Sequence, residues 1–191
     1  ISMRVISVAT YRETRDAISH DWQEWFNRKG LKFFPVPNIH LDVGTYLNDV
    51  RANAIILSGG NDFVARDGEE GDVSEARNKC EYALLSAAIA SDLPILATCR
   101  GLHVVNSYFN GGITTDLGTT DRQVNHVAYD HAISLLPPFS KTAEAEEIEV
   151  NSYHSQGVHI SQLSKELDAF AVSPADELVE GLVHPSKPIL A

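Results

Sequence analysis

Cys99 has the sequence surroundings that best suit a reactive side chain in this 191-residue chain. The apolar segment Leu93–Thr98 ends directly before it, and the segment Gly101–Phe109 follows one residue later. The first segment predicts a buried strand and the second a helix. A strand that turns at once into a helix exposes the residue at the turn, at the sheet edge where open α/β folds bind ligands. The pattern therefore predicts that the thiol of Cys99 faces a binding cleft.

The same corner is expected to activate the thiol. Gly101 lets the backbone turn sharply, and the start of the helix directs N–H groups and a partial positive charge toward the sulfur, which favours the thiolate. The amide of Arg100 is a candidate to hold a developing oxyanion, an effect of about 3–4 kcal/mol per donor. The alternative is a buried core thiol, which is what most lone cysteines are. Position and spacing alone leave both interpretations open.

The elements that position Cys99 alternate between strand and helix. Strands are predicted at Arg4–Ala9, Leu31–Val36, Ala54–Leu57, Leu93–Thr98, Ile148–Asn151, Ala169–Val172 and Leu178–Val183. Helices are predicted at Ile18–Phe26, Tyr46–Arg51, Ser74–Ala88, Gly101–Phe109 and Ser161–Leu167. This alternation predicts an α/β fold with a mostly parallel open sheet, covered by helices on both faces.

Residues 1–191 are predicted to form a single domain, with Ile1 and Ser2 before Met3 interpreted as a cloning remnant. Pro188–Ala191 has the apolar character of the opening of a buried strand. A domain rarely ends inside a core strand, because its backbone groups would lack neighbours. We therefore expect a further C-terminal segment after Ala191.

Composition and residue spacing indicate which ligands the protein is not expected to bind and where in the cell it is expected. A net charge of −11, with Lys and Arg scattered, disfavours nucleic acid. Two cysteines are too few for a disulfide scaffold, so a cytoplasmic location is expected. We recognise no signal peptide and no apolar run long enough to cross a bilayer. His126 and His131 lack zinc spacing and Gly59-Gly60 lacks the Lys of a phosphate loop, so no metal and no cofactor are predicted.

Several segments together resemble one known family. Ala97-Thr98-Cys99-Arg100-Gly101-Leu102-His103 resembles the nucleophile segment of class I glutamine amidotransferases, most closely the γ-glutamyl hydrolase branch called peptidase family C26, where the usual text is G-I-C-R-G-x-Q. Four further segments resemble motifs of that branch, in order: Ser58–Asp62 (G-G-x-D), Arg77–Glu81 (R-D-x-x-E), Val150–Gln156 (V-N-S-x-H-x-Q) and Asp176–Glu180 (D-x-x-I-E). The resemblance covers most of the chain and implies the flavodoxin-like architecture of class I glutamine amidotransferases.

The resemblance also implies roles for individual residues. Cys99 would be the nucleophile that forms a γ-glutamyl thioester and releases an amine or ammonia. The amides of Gly60 and Arg100 would form the oxyanion hole. The substrate-binding residues would be Gly59, Gly101, His103, Asn151, Ser152, Tyr153 and His154. Taken in isolation, Gly59-Gly60 is equally typical of an ordinary turn, and His154 of a surface histidine.

A general base is the part of the site that the chain does not supply clearly. In the family, a His and a Glu stand in an H-P-E motif after the last core strand, so we expect both to follow Ala191. His184-Pro185 lies before that strand and is followed by Ser186 rather than Glu, which excludes it. His154 is the plausible stand-in among the residues present.

Two departures from the family motifs affect the predicted substrate. His103 replaces the usual Gln of the nucleophile segment, and Asn78 replaces an Asp, although Asn78 is equally consistent with a solvated helix face. The Asp62–Asp72 loop is acidic and short where many relatives carry a longer, Pro-rich loop. The amine half of the substrate is therefore expected to differ from γ-aminobutyrate.

Three functions fit these residues. The first is a stand-alone hydrolase of a small γ-glutamyl amide or glutamine. The second is a glutaminase subunit that passes ammonia to a synthetase partner, and the third is an inactive binding protein on the same fold. A homodimer is compatible with each, and no nucleic-acid or membrane partner is expected.

Overall fold

The computed structural model describes residues 1–8, 13–39, 42–65, 71–115, 117 and 126–191. Within them the strands are β1 (Arg4–Val8), β2 (Glu13–Ala17), β3 (Ile55–Leu57), β4 (Ile95–Ala97), β5 (Val127–Leu135), β6 (Glu147–Tyr153), β7 (Asp168–Val172), β8 (Val179–Val183) and β9 (Ile189–Leu190). The helices are α1 (His20–Lys29), α2 (Val43–Asp49), α3 (Glu75–Ala90), α4 (Arg100–Tyr108) and α5 (Phe139–Ala143), with a 3-10 turn at Ile160–Gln162.

The main sheet has the strand order β3-β4-β9-β8-β7-β5-β6. Strands β3, β4 and β9 pair in parallel, whereas β9–β8, β8–β7, β7–β5 and β5–β6 are antiparallel. The α/β class is as predicted, but the prediction of a mostly parallel sheet is not confirmed, because the sheet is mixed. The physical reason lies in the short links of the second half, since a parallel pair needs a crossover of about a dozen residues or more.

Two predicted elements differ at the start of the chain. β1 forms as expected but pairs with β2 in a separate two-stranded antiparallel sheet, and Ala9 lies outside the described residues. Leu31–Val36 is not a strand: its ladder contact is the isolated bridge from Val36 to Ser2. Pro35 and Pro37 flank that residue and have no N–H to donate to a longer ladder.

Other elements lie close to their predicted positions. Gly30 ends α1 in the left-handed conformation, with φ 64°, and Ser74 caps α3 by accepting a hydrogen bond from the Arg77 amide. The helix predicted over Ser161–Leu167 is reduced to the 3-10 turn. The strand predicted at Pro188–Ala191 is confirmed as β9, which lies between β4 and β8.

The core joins the parallel strands to the helices that follow them. Ile55 and Leu57 of β3 and Ile95 and Ala97 of β4 are buried in one cluster with residues of α2, α3 and α4. Leu96 points the other way and shares a cavity of about 470 Å³ with residues of α1. This packing holds β3 and β4 in place, and the candidate site lies at their carboxyl ends. None of the described helices has both the length and the apolar character needed to cross a membrane.

Candidate active site

Cys99 lies at the corner between β4 and α4. Its backbone has φ 53° and ψ −113°, a conformation that side-chain-bearing residues rarely adopt, and the residue is exposed. Behind it α4 packs tightly: a Cβ on Gly101 would stand 2.7 Å from the Leu57 carbonyl oxygen and 3.0 Å from Ala97 Cβ. Glycine is thus required at position 101 for the helix to begin directly after the strand.

Two backbone amides converge on the sulfur of Cys99. The N–H groups of Arg100 and Gly60 hydrogen-bond to it and lower its pKa, but burial by the surrounding protein raises the pKa by more, so the net pKa is above the ordinary value. The amides therefore favour the thiolate in the expected direction, but their effect on the pKa is smaller than that of burial. An additional proton acceptor is needed to ionise this thiol at neutral pH.

The turn that carries Gly60 is held from beneath by Arg77. This fully buried guanidinium donates from Nη2 to the carbonyl oxygens of Ser58, at 2.7 Å, and Gly59, at 3.1 Å, and from Nη1 to Asn61 Oδ1 at 3.0 Å. Gly60 itself has φ 94°, in the region that favours glycine. The turn that presents the Gly60 amide is thus held by three hydrogen bonds from one buried side chain.

Glu81 links this turn to the nucleophile corner. Its carboxylate accepts from Arg77 Nε at 2.9 Å and also from Arg100 Nη1, and all three side chains are buried. Asn78 accepts from Arg100 as well and is half-buried, so it is not on a solvated helix face. The Arg77–Glu81 motif therefore holds the two predicted oxyanion-hole residues at a fixed separation.

Two adjoining cavities open beside Cys99. The larger, of about 470 Å³, is lined by Cys99, His103, Asn151, Tyr153, His154 and Glu180, among others. The smaller, of about 250 Å³, shares four of these residues, Cys99, His103, Tyr153 and His154, and adds Gly60, Arg100, Asn61 and Gln156 among others. The structure thus brings together most of the residues that the sequence selects.

Three predicted substrate-binding residues do not line these cavities. Ser152 is buried, and its hydroxyl donates to the His126 carbonyl oxygen at 2.8 Å, so it faces the strand behind. Gly101 is packed against β3 and β4. Gly59 lies beside Cys99, where a Cβ would be 3.6 Å from Sγ, and its carbonyl is engaged by Arg77. Gly59 and Gly101 shape the corner, whereas Ser152 belongs to a different cluster.

The two histidines of the cavity have opposite electrostatic surroundings. Burial, with the nearby His154 and Arg100, lowers the pKa of His103 to about 3, so this ring is neutral. Burial also lowers the pKa of His154, but the Glu180 carboxylate and the Gln156 carbonyl raise it more, to a net value above the ordinary one. In the part of the chain that the structure describes, neither ring hydrogen-bonds Cys99.

Sequence reasoning missed the roles of Glu180 and Gln156. Glu180 lines the larger cavity, and Gln156 ties the 63–64 segment to the pocket wall by accepting from the Phe63 amide at 3.0 Å and donating to the Val64 carbonyl at 2.7 Å. Both stand in quoted motif segments, Asp176–Glu180 and Val150–Gln156. The signal was present, but the contacts are between residues far apart in the chain.

A cysteine at a strand-to-helix corner of an α/β sheet, with two amides directed at its sulfur, defines a class of nucleophile-elbow proteins. Comparison with known sequences places the chain within that class. The family model of Peptidase C26 matches residues 9–191, and the chain belongs to this family.

Individual relatives agree with this placement. The chain is 34% identical over 150 residues to a Lactococcus lactis protein named glutamine amidotransferase-like protein YvdE, covering 72% of this chain and 62% of that protein. It is 31% identical over 116 residues to the γ-glutamyl-CDP-amidate hydrolase of Campylobacter jejuni, covering 60% of this chain and 56% of the relative. The chain thus spans about three fifths of the length of these relatives.

Among solved structures, a glutamine amidotransferase from Thermotoga maritima is similar with a TM-score of 0.62. The match covers 88% of this chain and 66% of that one, at 11% sequence identity. At this identity the likeness supports the fold alone.

Proposed function

We propose that this protein is a cysteine-dependent hydrolase of γ-glutamyl amides. The observation that carries the proposal is the convergence of the Gly60 and Arg100 amides on the sulfur of Cys99, a residue that lines both cavities. Acyl transfer needs a nucleophile and donors aimed at the oxygen that becomes negative, and this corner offers both. Membership in Peptidase C26 and the likeness to a γ-glutamyl-CDP-amidate hydrolase support a γ-glutamyl amide as the substrate class.

The reaction proceeds in two acyl transfers. The Cys99 thiolate adds to the γ-carbonyl carbon, and the carbonyl oxygen becomes an oxyanion that accepts from the Gly60 and Arg100 amides. The C–N bond then breaks, the amine leaves with a proton from the general acid, and a γ-glutamyl thioester remains on Cys99. Water, deprotonated by the same group, adds to the thioester and releases glutamate and the free thiol.

We further propose that the base is a histidine that follows Ala191. β9 pairs in parallel with β4, with Ile189 opposite Ile95 and Leu190 opposite Leu96, and Ala191 lines the cavity that contains Cys99. The carboxyl ends of these two strands therefore meet at one edge of the sheet, and a residue shortly after Ala191 would emerge beside the nucleophile. His154 is the weaker candidate, because it is directed toward Glu180, 3.7 Å away.

The site also constrains how the glutamyl half would be held. The cavity walls are formed by neutral His103, by Asn151 and Tyr153, and by His154 with its partner Glu180. We propose that His103 and Asn151 hydrogen-bond the α-amino and carboxylate groups of the glutamyl moiety. The amine half would occupy the open side near Asp62 and Arg4, where a nucleotide or another small amine can extend into solvent.

Mass spectrometry of a trapped acyl-enzyme tests the proposal. A γ-glutamyl amide should acylate Cys99, and the adduct should map to the peptide that contains Cys99 and be absent in Cys99→Ala. Cys80→Ala is the matched control, because Cys80 is buried away from the cavity. Full turnover by Cys99→Ala would overturn the mechanism.

The two other functions give different results in the same assay. An ammonia donor would hydrolyse glutamine slowly alone and faster when a synthetase partner is added. An inactive binding protein would bind glutamate-containing ligands without forming an adduct on Cys99.

A further inference from the structure

Three histidines and one glutamate cluster on the antiparallel part of the sheet. His126 precedes β5, His131 lies within it, His154 follows β6, and Glu180 lies in β8. One side-chain ligand atom from each of His126, His131 and Glu180 lies within 4.8 Å of the other two. From Glu180 Oε1 the distances are 3.8 Å to His126 Nδ1, 3.9 Å to His131 Nε2 and 3.7 Å to His154 Nε2.

The cluster leaves polar atoms unpartnered in the protein interior. Both ring nitrogens of His131 and the Oε1 atom of Glu180 are buried without a hydrogen-bond partner, and the His131 side chain is only 6% exposed. Buried polar atoms without partners are uncommon, since each one costs about 1–3 kcal/mol. Of these atoms, His131 Nε2 and Glu180 Oε1 face each other at 3.9 Å, too far for a hydrogen bond, which indicates that a further group between them completes their bonding.

The outer hydrogen bonds of the cluster direct lone pairs toward that space. His126 Nε2 lies 2.8 Å from Asp176 Oδ2, and His154 Nδ1 lies 2.9 Å from the Gln156 carbonyl oxygen. Each ring donates an N–H outward, so His126 Nδ1 and, in the neutral ring, His154 Nε2 face Glu180 with a lone pair. A carboxylate or carbonyl behind each ring is the arrangement that orients histidines bound to metals.

Serine hydroxyls complete this outer layer without filling the centre. Ser173 Oγ donates to Asp176 Oδ1 at 2.6 Å, which fixes the carboxylate. Ser152 Oγ lies 3.3 Å from His126 Nδ1, but its hydrogen is directed to the His126 carbonyl oxygen at 2.8 Å. The lone pair of His126 Nδ1 therefore remains available.

A backbone irregularity brings His126 and His131 to the same side. In a regular strand, residues five apart point to opposite faces. The β5–β6 register shifts between Val127 and Tyr129, where Ala128 has φ 57°. An extra residue of this kind re-aims the side chains before it, which allows the two rings to meet at a centroid distance of 4.7 Å.

We propose that this cluster is a binding site for a divalent transition metal of the zinc type, with His126, His131 and Glu180 as ligands and His154 as the fourth. Imidazole nitrogens and a carboxylate suit zinc, and ligands at bond lengths of about 2.0–2.2 Å stand roughly 3.3–3.5 Å apart in a tetrahedron. The distances to Glu180 require a contraction of a few tenths of an ångström, and the other ligand atoms, which lie within 4.8 Å of one another, would have to move closer as the metal binds. Four protein ligands make the site structural.

The metal would join three strands and one wall of the cavity. Its ligands come from β5 and the residue before it, from the residue after β6 and from β8, and His154 and Glu180 also line the cavity beside Cys99. The metal would therefore hold the Asn151–His154 segment in place. His154 as a ligand has no lone pair for Cys99, in agreement with a base that follows Ala191.

Metal content of tag-free, full-length protein gives the first test. After dialysis, elemental analysis should find about one zinc per chain in the wild type and under about 0.1 in His131→Gln. His20→Gln is the matched control, because His20 is exposed at the start of α1 and lies outside the cluster. Asp176→Asn should bind the metal about 10–100-fold more weakly, because it loosens the orientation of His126 without removing a ligand.

Thermal unfolding gives a readout that does not depend on activity. For chelator-stripped wild-type protein, zinc at roughly 100-fold over Kd should raise Tm by about 5–10 °C, and His131→Gln should show no increase. Cobalt in place of zinc should give the visible absorption of tetrahedral coordination. If stripped wild-type protein stays folded and takes up no more zinc than folded His131→Gln, the site does not exist. Should His131→Gln fail to fold, the titration of the stripped wild type decides alone.

Discussion

The cavity beside Cys99 lies between two buried polar clusters that are completed differently. In the corner cluster, Arg77, Glu81 and Arg100 satisfy one another and the surrounding carbonyls, with Arg100 Nε the unpaired atom among its described side chains. In the histidine cluster, His131 and Glu180 retain unpartnered atoms, and the spacings around Glu180 Oε1 are 3.7–3.9 Å.

The difference indicates what each cluster does. A charge network in which each buried ion has an opposite partner within the protein fixes a geometry, and here it fixes the two amides that face Cys99. A network that is left open has room for a ligand, and here that ligand is proposed to be a metal. Changes in the corner should therefore alter the chemistry or the fold directly, whereas changes in the histidine cluster should act through metal content.

The largest effect is expected from Cys99→Ala. Removing the proposed nucleophile should lower the rate of γ-glutamyl amide hydrolysis by about 10⁴-fold or more, because the thiol at the corner is lost and Cys80 is buried elsewhere. Steady-state kinetics with Cys80→Ala as the control measures the loss. Circular dichroism should show an unchanged fold. If Cys99→Ala retained turnover, the corner cluster would have no catalytic role.

Glu81→Gln should give the next largest effect. The substitution leaves two buried guanidinium groups without their shared carboxylate, which costs about 3–5 kcal/mol of the free energy of unfolding. Urea denaturation measures this cost. Glu75→Gln is the control on the same helix: Glu75 is exposed in the first turn, so its loss should cost only about 0.3–1 kcal/mol. Equal costs for the two variants would contradict a closed, stabilising network.

The corner could be predicted from the sequence because its determinants are local. The apolar run before Cys99, the immediate start of α4 and the requirement for Gly101 all lie within about ten residues, where strand and helix periodicity are informative. Ser74 as the cap of α3 and Gly30 as the end of α1 are local signals of the same kind.

The rest depends on contacts between distant residues. The sequence could not tell that β1 pairs with β2, or that β5 to β8 run antiparallel, because pairing is set by tertiary packing. The histidine cluster draws on positions 126, 131, 154 and 180, and a strand irregularity at Ala128 is needed to align the first two. These four positions follow no sequence spacing typical of a metal site, so the cluster could not be predicted from the sequence.

The alkylation rates of the two cysteines, measured at several pH values, compare the exposed corner with the buried core. Burial and the nearby Glu81 raise the pKa of Cys80 to about 11, so roughly one part in a thousand is thiolate at pH 8. Iodoacetamide should label Cys99 at least about 100-fold faster than Cys80. Both thiols react as thiolates, but the reagent can reach only Cys99 without local unfolding. Both rates should rise with pH, because each pKa lies above the ordinary range. Equally slow labelling of both thiols in the folded protein, far below their rates in urea, would mean that Cys99 is as enclosed as Cys80.

The smallest expected effect is a difference in stability between two glycine-to-alanine substitutions, one at the corner and one near the histidine cluster. An alanine at position 101 puts Cβ 2.7 Å from the Leu57 carbonyl oxygen, a backbone atom that cannot move without distorting β3. An alanine at position 157, near the histidine cluster, puts Cβ 2.8 Å from Leu117 Cδ1, the end of a side chain that can rotate. Gly101→Ala should therefore cost about 1–3 kcal/mol and Gly157→Ala less, by urea denaturation. If Gly157→Ala were the costlier change, the open cluster would be as rigidly packed as the corner, and the room proposed there for a metal would be in doubt.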